Sequence, residues 1–348
     1  LDDAAGWVEA LTDLADAGLG SALGAVAADV VAVRDLDVVR DDAWAEVLAL
    51  LERDPALRSA LLTPVRVVAP AGGVMRGPSY TAWWLREHLA GGGVWADPDA
   101  PDALAALLPA PPPGLADADP AVRAALGAVA DVGELDGAAV ADVLDGLADP
   151  QVDVDAATAL RVWAALAALL AAPGRSATDV AATSPPPVVR VVAADGTTEL
   201  VDADEACVVG DPMHLQRTDL APFVVAPDAD GAAALARALD LPLAVELAAG
   251  EVEEDGRRVD VPAAVAALLP DAPATWCEHD ELVVDGVEVE WWVDGDVVHA
   301  CTLDGLARGL AHEAGAWSLR SAVAEVLLEP GALPRVLLDE AFSRVRGV

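Results

Sequence analysis

The spacing of apolar residues predicts a mainly helical first half. Between residues 41 and 53, apolar side chains recur at intervals of three and four, which places them on one face of a helix. They are Trp44, Val47, Leu48 and Leu51. The same pattern predicts a helix at 155–172 and shorter helices at 120–130 and 137–148. Residues 65–69 are the clearest strand in this half.

A stretch of small residues and prolines at 173–187 separates this half from one with a period of two. The three prolines that end the stretch cannot continue a helix or enter a central strand, so we predict a linker. Alternating apolar residues on both sides of Asp195-Gly196 predict a hairpin. Strands are expected at 207–209 and 223–226, and helices at 230–239 and 303–317.

The predicted fold class is therefore α+β. A mainly helical N-terminal domain is followed by an α+β domain with antiparallel hairpins, a three-stranded meander and C-terminal helices. The predicted boundaries are 1–172 for the first domain, 173–187 for the linker, 188–348 for the second domain and 277–301 for the meander.

The composition supports a folded chain and excludes two classes of partner. Hydrophobic residues make up 55% of the 348 residues and the mean hydropathy is +0.40, which is enough apolar material for a core. The net charge of −39 excludes a basic footprint for nucleic acid or anionic lipid. The longest apolar run, 162–173, is too short to span a bilayer. Partners are expected to be proteins, small molecules or basic groups, without nucleic acid or membrane.

The absence of some residue types excludes further chemistry. The chain contains no Lys, Asn or Ile, a bias typical of a very GC-rich genome. Without lysine there is no Walker-A motif, pyridoxal Schiff base or Ser-Lys nucleophile pair. Three cysteines are too few for a disulfide framework, which favours a reducing cytoplasm. Because the chain starts at Leu1 without a signal peptide, we expect it to be part of a longer polypeptide.

The most suggestive set of side chains lies within the predicted meander. The four residues are of types that zinc prefers as ligands, namely Cys277, His279, His299 and Cys301. Two Asp-Gly turns, at 285–286 and 294–295, divide the segment into three strands. In that register Cys277 and Cys301 lie roughly 20 Å apart along the strands, which is too far for one zinc ion.

The meander register also predicts which side chains share a face. It places Val284 opposite Val287 and Val293 opposite Asp296. The core face would carry Leu282, Val284, Val287, Val289, Trp291, Val298 and Ala300. The polar face would carry His279, Glu281, Glu288, Glu290, Trp292, His299 and Cys301.

A row of Glu281, Glu290 and His299 across the polar face is the remaining candidate site. A carboxylate beside a histidine raises the pKa of the imidazole, so the row could act as an acid-base pair or a weak metal site. Opposite-charge cross-strand pairs are also ordinary features of a solvated sheet face, and we favour that interpretation. No catalytic or cofactor-binding residue is predicted.

Tryptophans supply candidate interaction residues. Trp83 and Trp84 lie with His88 on a predicted helix at 79–89, and Trp292 lies on the polar face of the meander. Residues of this kind pack in a core more often than they form a binding ridge, so core packing is favoured for the helix.

Three other side chains carry weaker expectations. His312 lies on the predicted helix 303–317 and is expected to be exposed or already hydrogen-bonded. His214 lies in a loop, where functional residues are common, but no partner for it is identifiable. Cys207 has apolar neighbours and is expected to be buried as a small hydrophobe.

Several strings in the chain resemble the C-terminal region of long actinobacterial proteins described as sacsin-like, or as chaperones of the heat shock protein 90 type. The first is PSYTAWWLR at 78–86. The others lie at 215–217 with 219–220, 222–227, 239–243, 278–280 with 284–286 and 291–293, and 298–300 with 303–311.

This resemblance implies an upstream GHKL-type ATPase domain that binds Mg-ATP. Its nucleotide motifs, E-x-x-x-N-x-x-D and D-x-G-x-G, have no counterpart in a chain without asparagine. No cofactor is therefore expected in this segment. The leading expectation is a non-catalytic module that contacts client proteins, dimerises or regulates the ATPase. The alternative is a free-standing enzyme or metal-binding protein that uses Glu281, Glu290 and His299.

Overall fold

The computed structural model of the chain describes residues 4–19, 26–68, 73–135, 137–172, 185–193, 196–220 and 222–346. The chain divides into two compact units. The first comprises residues 1–203 with 237–240, and the second comprises 204–236 with 241–348. Small sheets and helices occur in both, which confirms the α+β class.

In its described residues, the first unit combines helices with three small sheets. Its helices are α1 (Ala4–Leu19), α2 (Trp44–Arg53), α3 (Pro55–Leu62), α4 (Tyr80–Ala90), α5 (Asp102–Ala105), α6 (Pro120–Ala125), α7 (Gly137–Ala148) and α8 (Ala156–Ala171). Its strands are β1 (Val26–Ala28), β2 (Val65–Val68), β3 (Val74–Gly77), β4 (Trp95–Ala96), β5 (Ala128–Val129), β6 (Val188–Val192) and β7 (Thr198–Asp202). The pairings are antiparallel for β1-β2-β3 and β6-β7, and parallel for β4-β5.

Two long predicted helices form where the apolar spacing places them. Helix α2 follows a 3-10 turn at Asp41–Ala43 and buries Leu48 and Leu51. Helix α8 begins after Asp155, whose carboxylate accepts a hydrogen bond from the backbone N–H of Thr158 at 2.6 Å. This cap satisfies one of the free donors at the helix start. The expected helices at 41–53 and 155–172 are confirmed.

The helix predicted at 120–130 is shorter than expected. It ends at Ala125, because Gly127 adopts a φ of 97°, which is outside the range of a helix and is readily reached only by glycine. The two residues that follow Gly127 form β5, which pairs in parallel with β4.

The hairpin β6-β7 lies in the first unit, whereas residues 188–202 were predicted to belong to the second domain. The Arg190 guanidinium donates to the carbonyl of Leu147 in the last turn of α7 at 2.9 Å, and to that of Asp149 just beyond the helix at 2.8 Å. The Trp163 indole of α8 donates to the Arg190 carbonyl at 2.9 Å. These bonds connect the hairpin to α7 and α8. Most of the predicted linker, residues 173–184, lies outside the described residues.

The second unit is built around a four-stranded sheet. Its strands are β8 (Cys207–Val209), β9 (Phe223–Val225), β10 (Arg257–Asp260), β11 (Thr275–Glu278), β12 (Val283–Val284), β13 (Val287–Glu288), β14 (Trp291–Asp294) and β15 (Val297–Ala300). Its helices are α9 (Ala229–Leu239, most of which lies in this unit), α10 (Ala244–Leu247), α11 (Ala263–Leu268), α12 (Leu303–Glu313), α13 (Arg320–Leu328) and α14 (Leu333–Arg346). The main sheet has the order β10-β11-β15-β14, and β8-β9 and β12-β13 form separate pairs.

One face of the main sheet packs against helices. The buried cluster there is formed by Trp276, Trp291, Val298 and Ala300 of the sheet, with Leu306 and Leu310 of α12 and Val323 and Val326 of α13. Helix α12 ends at Glu313, earlier than the predicted 317, since Gly315 adopts a φ of 61°. A smaller cluster of Leu282, Val284, Val289 and Trp292 lies beside β12-β13.

Candidate functional site

The first predicted turn of the meander is confirmed and the second is displaced by one residue. Val284 lies opposite Val287, with Asp285 and Gly286 both at positive φ, as a type I′ turn requires. In the second hairpin Asp294 lies opposite Val297. Gly295, with a φ of 61°, therefore takes the first central position, where a type II′ turn favours glycine.

The predicted three-stranded meander is wrong, because its first strand pairs elsewhere. Strand β11 lies parallel to β15, with Cys277 opposite His299, and antiparallel to β10 on its other side. The hairpin β12-β13 forms a separate two-stranded sheet. Since Cys301 lies only two residues beyond His299, the 20 Å separation inferred from the meander does not apply.

The parallel pairing brings two histidines into contact. Nε2 of His279 lies 2.9 Å from Nδ1 of His299, a hydrogen-bond distance. His279 is 7% exposed, and its backbone N–H donates to the carbonyl of Ala300 at 3.0 Å. Burial lowers the pKa of both imidazoles, and the neighbouring His279 lowers that of His299 further. The pair is therefore neutral at physiological pH.

The contact does not create a metal centre in the described part of the chain. No group of three or more His, Cys, Asp or Glu residues there is placed to hold a metal ion. The thiol of Cys301 instead faces backbone, with its Sγ 3.4 Å from the carbonyl oxygen of Val289 and 3.7 Å from that of Glu290.

A groove of about 460 Å³ lies on the second unit beside this sheet. Its lining residues are Gln216, Asp280, Glu281, Leu282, Glu288, Val289, Glu290, Cys301 and Arg308. The four carboxylate side chains are exposed, whereas Leu282 and Val289 are buried and form an apolar floor. The groove is thus an acidic rim above an apolar base.

The residues of the predicted row, Glu281, Glu290 and His299, do not lie together in the structure. Both glutamates line the acidic groove, but His299 does not line it and contacts His279 instead. Glu290 lies 3.9 Å from the guanidinium of Arg308, which is also paired with Asp304 at 2.7 Å. The three residues do not form one histidine-carboxylate site.

Hydrogen bonds and ion pairs join Arg217 to two aspartates of the second unit. Arg217 is 2% exposed and forms a two-point contact with Asp219 at 2.9 and 2.8 Å, and one with Asp285 at 2.7 Å. The Asp285 carboxylate also accepts the backbone N–H groups of Gly250 and Glu251, each at 2.8 Å. Arg217 was not predicted as a site residue, although it belongs to the string at 215–217.

The remaining histidines of the unit pack against tryptophans. The buried His214 ring meets Trp292 edge-on, with centroids 5.4 Å apart. His312 lies 5.4 Å from the Trp291 ring, and its Nε2 is 3.0 Å from Asp211, so the expectation of a hydrogen-bonded histidine is confirmed. This hydrogen bond raises the pKa of His312, whereas burial lowers that of His214.

The three candidate interaction tryptophans lie mainly within cores. Trp84 is 5% exposed and stacks on His88, with ring centroids 3.8 Å apart, and Trp83 packs half-buried against the same core. Trp292 is 2% exposed, so its predicted place on a solvated face is wrong. It packs against Leu282 and Val284, since β12-β13 folds back over this side of the sheet.

Comparisons of this chain with protein-family models, with curated proteins and with solved structures found no match. The resemblance to chaperones of the heat shock protein 90 type therefore stays a prediction. Within the residues that the structure describes, none of the helices has the length and apolar character needed to cross a membrane.

Proposed function

We propose that this chain is a non-catalytic interaction module, of the kind that follows a GHKL-type ATPase domain in chaperone-like proteins. Its acidic groove would bind a basic segment of a partner protein. The observation that carries the proposal is the groove itself, in which exposed carboxylates surround an apolar floor.

The charge of the groove favours a cationic segment. Four carboxylates line it, and the one guanidinium in its lining, that of Arg308, is already paired with Asp304. Exposed charges of one sign attract an opposite charge and accelerate its association.

Several strings on which the resemblance rests meet in the second unit. Gln216 and Arg217 come from one string, and Asp285 and Trp291 from another. Hydrogen bonds join Gln216 to Trp291 and Arg217 to Asp285. This convergence supports the interpretation of those strings as parts of one structural unit, and hence the assignment to a chaperone-like protein.

The alternative, an enzyme or metal-binding protein that uses Glu281, Glu290 and His299, receives less support. A general acid-base pair requires the carboxylate and the imidazole within hydrogen-bond reach. The Nδ1 atom of His299 faces His279 instead, and the two glutamates line the groove.

Titration of the full chain with a fluorescent arginine-rich peptide tests the binding proposal. The double variant Glu288→Gln/Glu290→Gln is expected to weaken binding by about twofold to thirtyfold, since each exposed charge pair contributes roughly 0.2–1 kcal/mol. The control Glu205→Gln/Glu329→Gln removes the same charge from exposed positions outside the groove lining. Equal losses in the two double variants would show that only net charge matters and would contradict the groove assignment.

The chaperone assignment has a separate test. The native gene product is isolated and its intact mass is measured, with peptide mapping of any sequence before Leu1. An upstream segment with an E-x-x-x-N-x-x-D helix would support the assignment, and its ATPase rate should then respond to the groove variants. A native product that begins at Leu1 would overturn it.

A further inference from the structure

The His279–His299 contact is compatible with only some protonation states of the two imidazoles. At 2.9 Å, one of the two facing nitrogens must donate a proton and the other must be unprotonated. One added proton still leaves a donor and an acceptor. When both imidazoles are cationic, two N–H groups face each other, so the hydrogen bond is lost and two positive charges meet in a half-buried place.

The groups around the pair do not cancel this repulsion. Glu254 acts on His279 and Asp294 acts on His299, and each carboxylate favours the charged imidazole. Burial opposes that charge more strongly for both histidines. Cys277 shares their sheet face by strand alternation, and Arg258, opposite Cys277, adds a positive charge to that face. The Gly256 backbone packs directly against the His279 ring.

The pair lies where the chain leaves the sheet to form the groove. The parallel pairing of β11 with β15 comprises only two residue pairs, Cys277 with His299 and Glu278 with Ala300. The next residue is His279, and Asp280, Glu281 and Leu282 then line the acidic groove. The imidazole contact therefore holds the start of the groove wall against β15.

We propose that the His279–His299 pair is a proton-controlled latch for the acidic groove. In acid, protonation of both rings breaks the contact and frees the start of the groove wall, residues 279–281, from β15. The wall of the groove then opens. The further consequence, release of a bound basic segment in acid, rests on the proposed function.

Hydrogen-deuterium exchange on the full chain tests the latch without any partner. Protection of residues 279–284, corrected for the intrinsic effect of pH, is compared at pH 7.5 and 5.0. The wild-type chain is expected to lose protection by about tenfold, because acid removes the contact that holds the start of this segment. The variant His299→Gln is expected to keep it, because a carboxamide can donate or accept toward His279 in either protonation state. The variant His88→Gln, whose histidine lies in the first unit and contacts only Trp84, should behave as wild type in this segment.

A second variant opens the latch without acid. A Cβ at residue 256 would overlap with Nε2 of His279, so Gly256→Ala is expected to lower the protection of 279–284 at both pH values. The control Gly331→Ala places its Cβ in open space and should change nothing. Equal acid-induced loss in wild type and His299→Gln would overturn the latch, as would unchanged protection in Gly256→Ala.

Binding of the arginine-rich peptide distinguishes a failure of the latch from a failure of the proposed function. If the peptide does not bind at pH 7.5, the proposed function fails while the exchange result still decides the latch. If it binds equally at pH 7.5 and 5.0 although residues 279–284 lose protection, the latch exists but does not control binding, which would overturn its role in release.

Discussion

The side-chain amide of Gln216 pairs with the backbone of Trp291 as a neighbouring strand would. Its Nε2 donates to the Trp291 carbonyl at 2.8 Å, while its Oε1 accepts the backbone N–H of Glu290 at 2.8 Å. Strand β14 is an edge strand of the main sheet in the described part of the chain. One carboxamide thus satisfies both a donor and an acceptor that the sheet itself leaves unpaired.

The variant Gln216→Glu should therefore destabilise the second unit. A carboxylate cannot donate to the Trp291 carbonyl, and a half-buried carbonyl without its partner costs about 1–3 kcal/mol of unfolding free energy. Urea unfolding followed by circular dichroism measures the loss. The exposed Gln151 provides the matched change, and Gln151→Glu should shift the unfolding free energy by less than about 0.5 kcal/mol. Similar losses in both variants would contradict this role of Gln216.

Arg217 is expected to be the most sensitive charged residue of the second unit. Its removal in Arg217→Met leaves Asp285 half-buried beside Asp219 without their shared cation. Breaking a buried ion pair from one side typically costs about 3–5 kcal/mol. Arg217→Lys should recover only part of this, because an ammonium cannot form the two-point contact with Asp219.

The control for Arg217 is an exposed ion pair. Arg40 lies 3.1 Å from Asp42, and both side chains are mostly in solvent. Arg40→Met should change the unfolding free energy by less than about 1 kcal/mol. The assignment of Arg217 fails if its replacement by Met is tolerated as well as the replacement of Arg40.

His312 should stabilise the protein more in weak acid than in base. Its hydrogen bond to Asp211 raises the pKa of the imidazole in the folded state above the unfolded value of about 6.5. The stabilisation is therefore complete below about pH 6.5 and is lost as pH rises through the folded pKa. Unfolding free energies of wild type and His312→Gln should differ by about 1 kcal/mol more at pH 6 than at pH 9. A difference that is constant with pH would mean that the charge of His312 contributes nothing.

Cys207 should resist alkylation in the native protein. Burial raises the pKa of its thiol to about 11, so almost no thiolate exists at pH 8, and the side chain is inaccessible. Cys277 and Cys301 are half-buried and should react first with iodoacetamide. Peptide mass spectrometry identifies the order, and in urea all three cysteines should react. Early labelling of native Cys207 would show that β8 is not buried as described.

Local sequence patterns predicted most of the helices, strands and turns. They did not predict which distant segments of the chain pair with each other. The periodicity around Leu48 and Leu51 predicted α2, and the Asp285-Gly286 dipeptide predicted a tight turn, because both signals lie within a few residues. Asp294-Gly295 was misplaced by one residue, since the same dipeptide can enter a type I′ turn or supply glycine to the start of a type II′ turn.

The candidate site was missed for a related reason. The contact of His279 with His299 depends on the parallel pairing of β11 with β15, which no local alternation of apolar residues indicates. The available signal was the two histidines themselves, each two residues from a cysteine in opposite order. That palindromic order matches an antiparallel pair of strands, so it does not predict the parallel register that brings the two histidines together.

The parallel pairing also has a consequence for the order of folding. The hairpin β14-β15 is closed by a turn of two residues, whereas the paired residues Cys277 and His299 are 22 positions apart in the sequence. The entropy of loop closure rises with length, so distant pairings form more slowly than local ones. We therefore expect the β14-β15 hairpin to form first and to serve as the template onto which β11 docks last, completing the groove only at the end of folding.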